Sequence, residues 1–168
     1  MDSPEITLKH FLFPGTIFAD PRGYRISTIL GSCVAVCLWD SVMRMGGINH
    51  YMLPLWNGEG LATPKYGNIA MEKLLAKMLA MGCRREQLIA KVFGGANLMG
   101  TGNEVYLIGD RNISLACEML EEYGIPIVAS DVGGRTGRKI IMQAESGVVF
   151  VGKGKPRSMV STSRGYVF

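Results

Sequence analysis

At 168 residues, the chain has the size of one domain with enough material for a substantial core. Hydrophobic residues make up 48% of it and 22 residues are glycine, which is typical of a compact enzyme with many tight turns and excludes a disordered or coiled-coil protein. The net charge of +4 is modest, so it gives weak support to a nucleic acid or a membrane surface as a partner.

The N-terminus and the cysteines together predict a cytoplasmic protein without a cofactor. Asp2 and Glu5 stand where a signal peptide would carry cations, and no apolar run approaches the ~18 residues of a membrane span, so we expect no membrane insertion. Cytosolic cysteines are expected to be reduced thiols. Their spacing matches no zinc or redox pattern, and the chain has only two histidines, so we expect no metal.

The first 24 residues are expected to form short extended pieces. Turn signals at residues 13–15 and 20–23 break this segment, which indicates a capping or edge strand. His10 lies here, distant in sequence from any predicted site. We interpret it as an ordinary surface or strand residue.

Residues 24–39 predict two strands joined by a turn at Gly31-Ser-Cys33. A side chain that leaves such a turn can meet a substrate carbonyl while free backbone N–H groups face the carbonyl oxygen. Cys33 is therefore a candidate nucleophile. The alternative is that Cys33 is a small apolar residue in a buried strand, which is what most free cysteines are.

The next predicted strand, residues 46–53, carries His50. Alternation along the strand would place His50 on one face with Ile48 and Met52. A cysteine nucleophile needs a base, and His50 follows Cys33 closely in sequence. Without Cys33, His50 would be interpreted as a hydrogen-bonded core histidine.

The middle of the chain predicts a loop, a helix and a buried strand. The loop at 55–65 carries Trp56, which would either shield a nearby reaction from water or anchor the loop. The helix is predicted over 66–81 with its stop at Gly82. A strand at 88–93 then leads into a glycine turn.

The second half predicts a strand at 104–108 after a loop at 99–103, and then a helix that is capped by Asn112 and ends at Gly124. A strand at 127–130 and a hairpin over 139–151 follow.

Two helices against seven or eight strands predict an α/β (α+β) domain in layers. We assign residues 1–152 to this single domain, including its N-terminal strand extension. Residues 153–168 are basic, rich in Ser and Thr and without periodicity, so they are expected to form an extension of variable order.

Two stretches together, Gly31-Ser-Cys33 and Gly46-Gly-Ile-Asn-His-Tyr-Met-Leu-Pro54, resemble the chemoreceptor glutamine deamidase family, CheD. The resemblance covers roughly residues 20–152. It implies a layered β-sandwich with helices packed on one side, similar to the catalytic domain of cytotoxic necrotizing factor toxins. The sequence resemblance continues, in the same order along the chain, through Lys91-Val-Phe-Gly-Gly-Ala-Asn97, Ile108-Gly-Asp-Arg-Asn112 and Asp131-Val-Gly-Gly134.

The resemblance also implies a reaction and its partners. The activity would be that of a protein-glutamine glutaminase, a hydrolase that converts glutamines on the helical cytoplasmic region of chemoreceptors to glutamate during chemotaxis. Methyl esters of glutamate there would be a second target. The CheC phosphatase is an expected partner.

Amide hydrolysis of this kind assigns Cys33 as the nucleophile and His50 as the base that later protonates ammonia. An ion pair between them would lower the thiol pKa well below ~8.5. The N–H of Cys33 is the candidate oxyanion donor.

A third group must orient the imidazole of His50. In the family a threonine six residues before the cysteine does so, and that position is Ser27 here. Regular alternation places Ser27 on the face of Cys33, so Ser27 receives the role. A one-residue bulge near Gly31 would favour Thr28 instead.

Three alternatives stay open at this point. A thiol hydrolase acting on another amide or ester, such as a peptidase, needs the same cysteine and histidine. A non-catalytic adaptor that binds receptor or phosphatase is favoured by the serine at position 27. Nucleic-acid binding through the basic tail is the weakest, because aromatic and basic residues are not interleaved.

Overall fold

The computed structural model describes residues 7–98, 104–154 and 165–168. Within these ranges the chain forms ten strands and two α-helices, with a short 3₁₀ turn at Arg85–Gln87. In chain order the elements are β1 (Lys9–Phe11), β2 (Thr16–Ala19), β3 (Arg25–Leu30), β4 (Val34–Asp40), β5 (Met45–His50), α1 (Gly67–Ala80), β6 (Leu88–Gly94), α2 (Glu104–Tyr123), β7 (Ile127–Val132), β8 (Arg138–Gln143), β9 (Val149–Lys153) and β10 (Gly165–Val167).

The strands form two five-stranded sheets. The first has the order β1-β3-β8-β9-β10 and the second has the order β2-β5-β4-β6-β7. Each sheet is mixed, because β1–β3 and β6–β7 are parallel pairs among antiparallel ones. Both helices pack against the second sheet. The α+β class predicted from the sequence is confirmed.

Strand β4 lies in the centre of the second sheet and is buried on both faces. Val34, Val36 and Leu38 point towards the helices, whereas Ala35 and Cys37 point towards the first sheet. A strand covered on both faces needs apolar residues at consecutive positions, which explains the unbroken run before Trp39. Two separate cores result, one beneath the helices and one between the sheets.

The first helix agrees with its predicted bounds. α1 buries an apolar stripe against the second sheet and ends before Gly82, whose φ of 101° is a conformation that glycine adopts easily. The buried residues of this stripe are Ala70, Met71, Leu74, Leu75 and Met78.

The start of the second helix was predicted incorrectly. The segment 104–108 is helical rather than extended, and Asn112 lies in the interior of α2 rather than at its N-cap. The asparagine is retained there by tertiary hydrogen bonds that local sequence does not reveal. The predicted end is confirmed, since Gly124 follows Tyr123 with a φ of 71°.

Both ends of the described chain lie at sheet edges. The predicted edge strands near the N-terminus are confirmed, because β1 and β2 border the first and the second sheet. Residues 165–167 form β10 on β9, and the ring of Phe168 packs edge-on against Phe93. The predicted loop at 99–103 and residues 155–164 of the predicted extension lie outside the described residues. No helix in the described ranges is long and apolar enough to cross a membrane.

Candidate active site

The chain crosses from the first sheet to the second at Gly31-Ser-Cys33, between the end of β3 and the start of β4. The predicted strand, turn and strand are therefore confirmed. Cys33 is partly exposed and packs at the edge of the core between the sheets. Its thiol thus lies where one core meets the surface.

Strand register places His50 on the same face as Cys33. Val34 pairs with Tyr51 and Cys37 pairs with Ile48, so both pairs share one offset and Ala35 falls opposite His50. Cys33 is two residues from Ala35 and is therefore a diagonal neighbour of His50 on the face towards the first sheet. Sequence alternation predicts that His50 shares a face with Ile48 and Met52, but it does not relate that face to Cys33.

The hydrogen bonds of His50 determine which ring nitrogen carries the proton. Its Nδ1 is 2.8 Å from Thr28 Oγ1, and that hydroxyl also lies 2.8 Å from the carbonyl oxygen of Leu12. A carbonyl can only accept, so the single hydroxyl proton goes to Leu12. Thr28 must then accept a hydrogen bond from Nδ1–H. This leaves a lone pair on Nε2, the state that a general base requires.

His50 Nε2 is buried and has no hydrogen-bond partner among the described residues. The histidine side chain as a whole is 1% exposed. An unpaired acceptor in such a place costs stability, so it is a site where a function can be sought. Register brings the thiol of Cys33 to this same face.

The hydroxyl beside His50 belongs to Thr28 and not to Ser27, which corrects the contact expected from the sequence. Ile26, Thr28 and Leu30 point into the core between the sheets, whereas Ser27 lies on the outer face of the first sheet. Alternation had been counted from position 27 to position 33, but the chain changes sheets after Leu30. The face of a residue on β3 therefore does not determine the face of a residue beyond the turn.

Burial favours the neutral form of both groups. It lowers the pKa of His50 to about 4 and raises the pKa of the Cys33 thiol, which its own backbone N–H partly opposes. The ion pair expected from the sequence would have shifted the thiol pKa in the opposite direction, to a lower value. The site therefore rests as a thiol beside a neutral imidazole, and the thiolate forms when its proton moves to Nε2.

The turn is held by its carbonyl groups. The Gly31 oxygen accepts from Ala96 N–H at 3.0 Å, and the Cys33 oxygen accepts from Gly95 N–H at 2.8 Å. Between them, the Ser32 oxygen accepts from the side chain of Asn112 at 3.1 Å. In the described part of the chain, no main-chain carbonyl takes a hydrogen bond from the Cys33 N–H. This N–H is available to an oxyanion formed at the sulfur.

Glycine is required where the next loop meets the turn. A Cβ on Gly94 would lie 2.2 Å from the carbonyl oxygen of Cys33, and its φ of 105° disfavours side chains as well. The close approach lets the residue after Gly94 donate to Cys33. The motif at 91–97 thus serves as a backbone clamp on the turn and not as a phosphate cradle.

A buried ion pair supports this clamp from behind. Arg138, 2% exposed, contacts Asp131 at 2.9 Å and donates to the carbonyls of Gly94 and Gly133. The N–H of Gly133 donates in turn to the Gly94 oxygen. The motif at 131–134 therefore acts through Gly94 on the cysteine turn. No motif or spacing in the sequence points to Arg138.

Exposed apolar side chains surround the turn. Leu98, 57% exposed, lies over Gly31, and Met52 is opposite Cys33 in register. Beyond Met52, a shallow pocket of about 440 Å³ opens between the loop after β5 and helix α2. It is lined by Pro54, Leu55, Arg111, Ser114, Leu115 and Glu118.

Other residues weighed from the sequence lie away from this centre. The ring of His10 stacks on Phe18 at 3.8 Å, as an ordinary strand residue does. The indole N–H of Trp56 donates to the carbonyl of Glu59, which favours the anchoring role. In the described ranges, no three His, Cys, Asp or Glu side chains are grouped so that they could hold a metal ion.

Comparison with known proteins gives consistent matches. Residues 52–153 match the family described as CheD chemotactic sensory transduction. The chain is 61% identical to a Trichlorobacter lovleyi protein named "Probable chemoreceptor glutamine deamidase CheD". The 150 aligned residues cover 89% of this chain and 93% of the relative. A Sulfurimonas denitrificans protein of the same name is 50% identical over 145 residues, 85% of this chain and 92% of the relative.

Proposed function

The chain belongs to the CheD family, and from this premise we propose that it is a hydrolase that deamidates glutamine side chains of chemoreceptors in chemotaxis. The observation that carries the chemistry is the state of His50. Its Nδ1 is committed to Thr28, and its Nε2 is unpaired on the face that also carries Cys33.

In the proposed reaction, His50 Nε2 takes the thiol proton of Cys33 as the sulfur attacks the carboxamide carbon of a glutamine. The oxygen of the tetrahedral intermediate accepts from the Cys33 N–H. His50 then returns the proton to the leaving nitrogen, ammonia departs and a thioester remains. Water, deprotonated by the same imidazole, hydrolyses the thioester and leaves glutamate with the free thiol.

Thr28 takes the orienting role in this proposal, in place of Ser27. Its hydroxyl fixes both the direction of the ring and the tautomer, and the carbonyl of Leu12 fixes the hydroxyl. The serine at position 27 had favoured a non-catalytic adaptor. Since a threonine makes the contact, that argument for an adaptor no longer stands.

The substrate is a protein, which accords with the surface at the turn. Leu98 and Met52 are exposed apolar residues at the cysteine turn, and Leu55 is exposed in the neighbouring pocket. Exposed apolar groups are typical of surfaces that bind other proteins. The proposed target is the helical cytoplasmic region of the receptor, so the enzyme would act in the cytoplasm. Replacing glutamine by glutamate adds negative charge to the helices and would shift the signalling equilibrium.

Three finer points of the proposal follow from the family alone. The sandwich would resemble the catalytic domain of cytotoxic necrotizing factor toxins. The CheC phosphatase would be a partner, and glutamate methyl esters would be a second substrate. From the composition of the tail, we also propose a deamidase domain of residues 1–152 with 153–168 as a basic extension, whose last residues return to the first sheet as β10.

The test is incubation of the purified protein with a receptor cytoplasmic fragment, followed by ammonia assay and mass spectrometry. Deamidation releases ammonia and converts specific glutamines to glutamate in an intact chain. A fragment in which those glutamines are already glutamate is the matched control and should release none. Cleavage of the fragment would favour a peptidase, and binding without any change in mass would favour an adaptor.

A further inference from the structure

Asn112 lies in the interior of α2, fully buried, and makes three hydrogen bonds to distant parts of the chain. Its side-chain NH₂ donates to the carbonyl of Ser32 and to the carbonyl of Met52, each at 3.1 Å. Its own main-chain carbonyl accepts from the hydroxyl of Tyr51 at 2.5 Å. One helical residue thus holds two separate segments.

The two segments are those of the candidate nucleophile and base. Ser32 directly precedes Cys33, and Met52 follows His50 by two residues. The β4–β5 ladder is interrupted here, with Val34–Tyr51 as an isolated bridge beyond the regular pairs. In place of a ladder bond, Asn49 Oδ1 accepts from the Val36 N–H. Val34 and Tyr51 still exchange two main-chain hydrogen bonds, and Asn112 adds a second link between the segments just beyond this pair.

We propose that Asn112 is a positioning residue that sets the distance between Cys33 and His50. The two N–H bonds of a single NH₂ group diverge from one atom in a fixed plane, so carbonyls bound to both are fixed relative to each other. Since α2 packs on the second sheet, it provides a rigid base for this link. Its catalytic consequence rests on the function proposed above.

Asn112 occupies this position at a cost. Asparagine is unfavourable in a helix interior, and Asn112 Oδ1 is buried without a hydrogen-bond partner among the described residues. An apolar residue would avoid both penalties if the site only needed to be filled. The presence of an amide at this position is explained by its two hydrogen bonds, to the carbonyls of Ser32 and Met52.

The experiment compares Asn112→Leu and Asn112→Ala with Leu120→Ala. Leucine has the same number and branching of side-chain heavy atoms as asparagine and favours a helix, so Asn112→Leu is expected to fold. Leu120→Ala makes a cavity beneath the same helix, about two turns away from Asn112. The readouts are kcat and KM on a receptor fragment, and the pH profile of Cys33 alkylation by iodoacetamide in the full chain.

We expect both Asn112 variants to lower kcat by roughly 10–100-fold with KM little changed, since small misplacements of reacting groups have effects of this size. The midpoint of the alkylation profile should move towards that of His50→Gln. Leu120→Ala should leave this midpoint in place. Unchanged midpoints in both Asn112 variants, with activity losses no larger than that of Leu120→Ala, would overturn the proposal.

Alkylation does not depend on the substrate. A wild-type protein that fails to deamidate while its Asn112 variants still shift the midpoint would reject the proposed function and support the positioning role. Normal deamidation by Asn112→Leu with an unshifted midpoint would support the proposed function and reject the positioning role.

Discussion

Strand β4 and the turn before it carry two cysteines on the same face, in opposite surroundings. Cys37 lies between two ladders, paired with Ile48 on one side and Lys91 on the other, and is 2% exposed. Cys33 lies before the first strand residue, where its carbonyl is bound by a loop and its thiol is partly exposed. The same residue type therefore serves as core filling at one end and as a candidate nucleophile at the other.

The difference shows that position relative to the ladder matters more than the residue. Burial raises the pKa of Cys37 to about 12, although the ammonium group of Lys91, opposite it in register, partly opposes this shift. Cys33 has His50 as a diagonal neighbour with an unpaired Nε2. At the sheet end, an accessible thiol, a base and a free N–H come together.

The strongest test of this comparison replaces each cysteine in turn. Cys33→Ala should lower deamidation by at least about 10⁴-fold with little loss of stability, because it removes the nucleophile. Cys37→Ala should keep the activity and lower the free energy of unfolding by roughly 1–2 kcal/mol, because it leaves a small cavity. Ammonia release and urea unfolding measure the two effects. An active Cys33→Ala protein would end the thiol mechanism.

The two histidines offer the second test. His50→Gln should lower kcat by roughly 10²–10⁴-fold, the range that general acid–base groups contribute. His10→Gln is the matched control and should retain activity, because His10 stacks on Phe18 at the edge of the fold. Steady-state kinetics on a receptor fragment gives both values. Equal effects of the two changes would contradict the assignment of His50 as the base.

The hydroxyl assignment can be tested by neighbouring substitutions. Thr28→Val keeps the shape but leaves His50 Nδ1–H without an acceptor, so we expect a loss in kcat of roughly 10–100-fold, as for other groups that orient a histidine. Ser27→Ala removes a hydroxyl from the outer face of the first sheet and should change kcat little. The opposite ranking would restore Ser27 to the orienting role.

Much of the fold followed from local patterns. The turn at Gly31-Ser-Cys33, the strand that carries His50 and the first helix could be predicted because each depends on apolar periodicity and on glycine within a short window. The start of α2 could not. Asn112 is a good N-cap by propensity, but its partners lie 80 and 60 positions away in sequence.

The candidate site shows the same division. The motifs at 91–97 and 131–134 were noted as resemblances, but their action as a clamp on Cys33 requires the pairing of β4, β6 and β7. Alternation favours Ser27 over Thr28 only if it extends through the turn without a bulge, and the chain changes sheets there. A pattern of period two holds only within one strand, so it could not decide between Ser27 and Thr28.

The smallest effect expected is on the pH dependence of stability. His50 has a pKa of about 4 in the folded protein, lowered by burial from the model-peptide value of 6.5. Below pH 6.5 the unfolded chain binds a proton at His50 that the native protein does not bind. The stability that comes from a neutral His50 is therefore fully present above pH 6.5 and is lost as the pH falls towards 4. The full loss is roughly 3 kcal/mol.

Urea unfolding of the wild-type protein and of His50→Gln, between about pH 7 and about pH 4.5, isolates this contribution, because the carboxylates are common to both. The wild-type free energy of unfolding should fall more steeply, and His10→Gln should follow the wild type. Parallel curves for wild type and His50→Gln would mean that His50 gains a proton in the native protein. Burial would then not be what keeps Nε2 unprotonated beside Cys33, and the surroundings of Cys33 would be more open to solvent than those of Cys37.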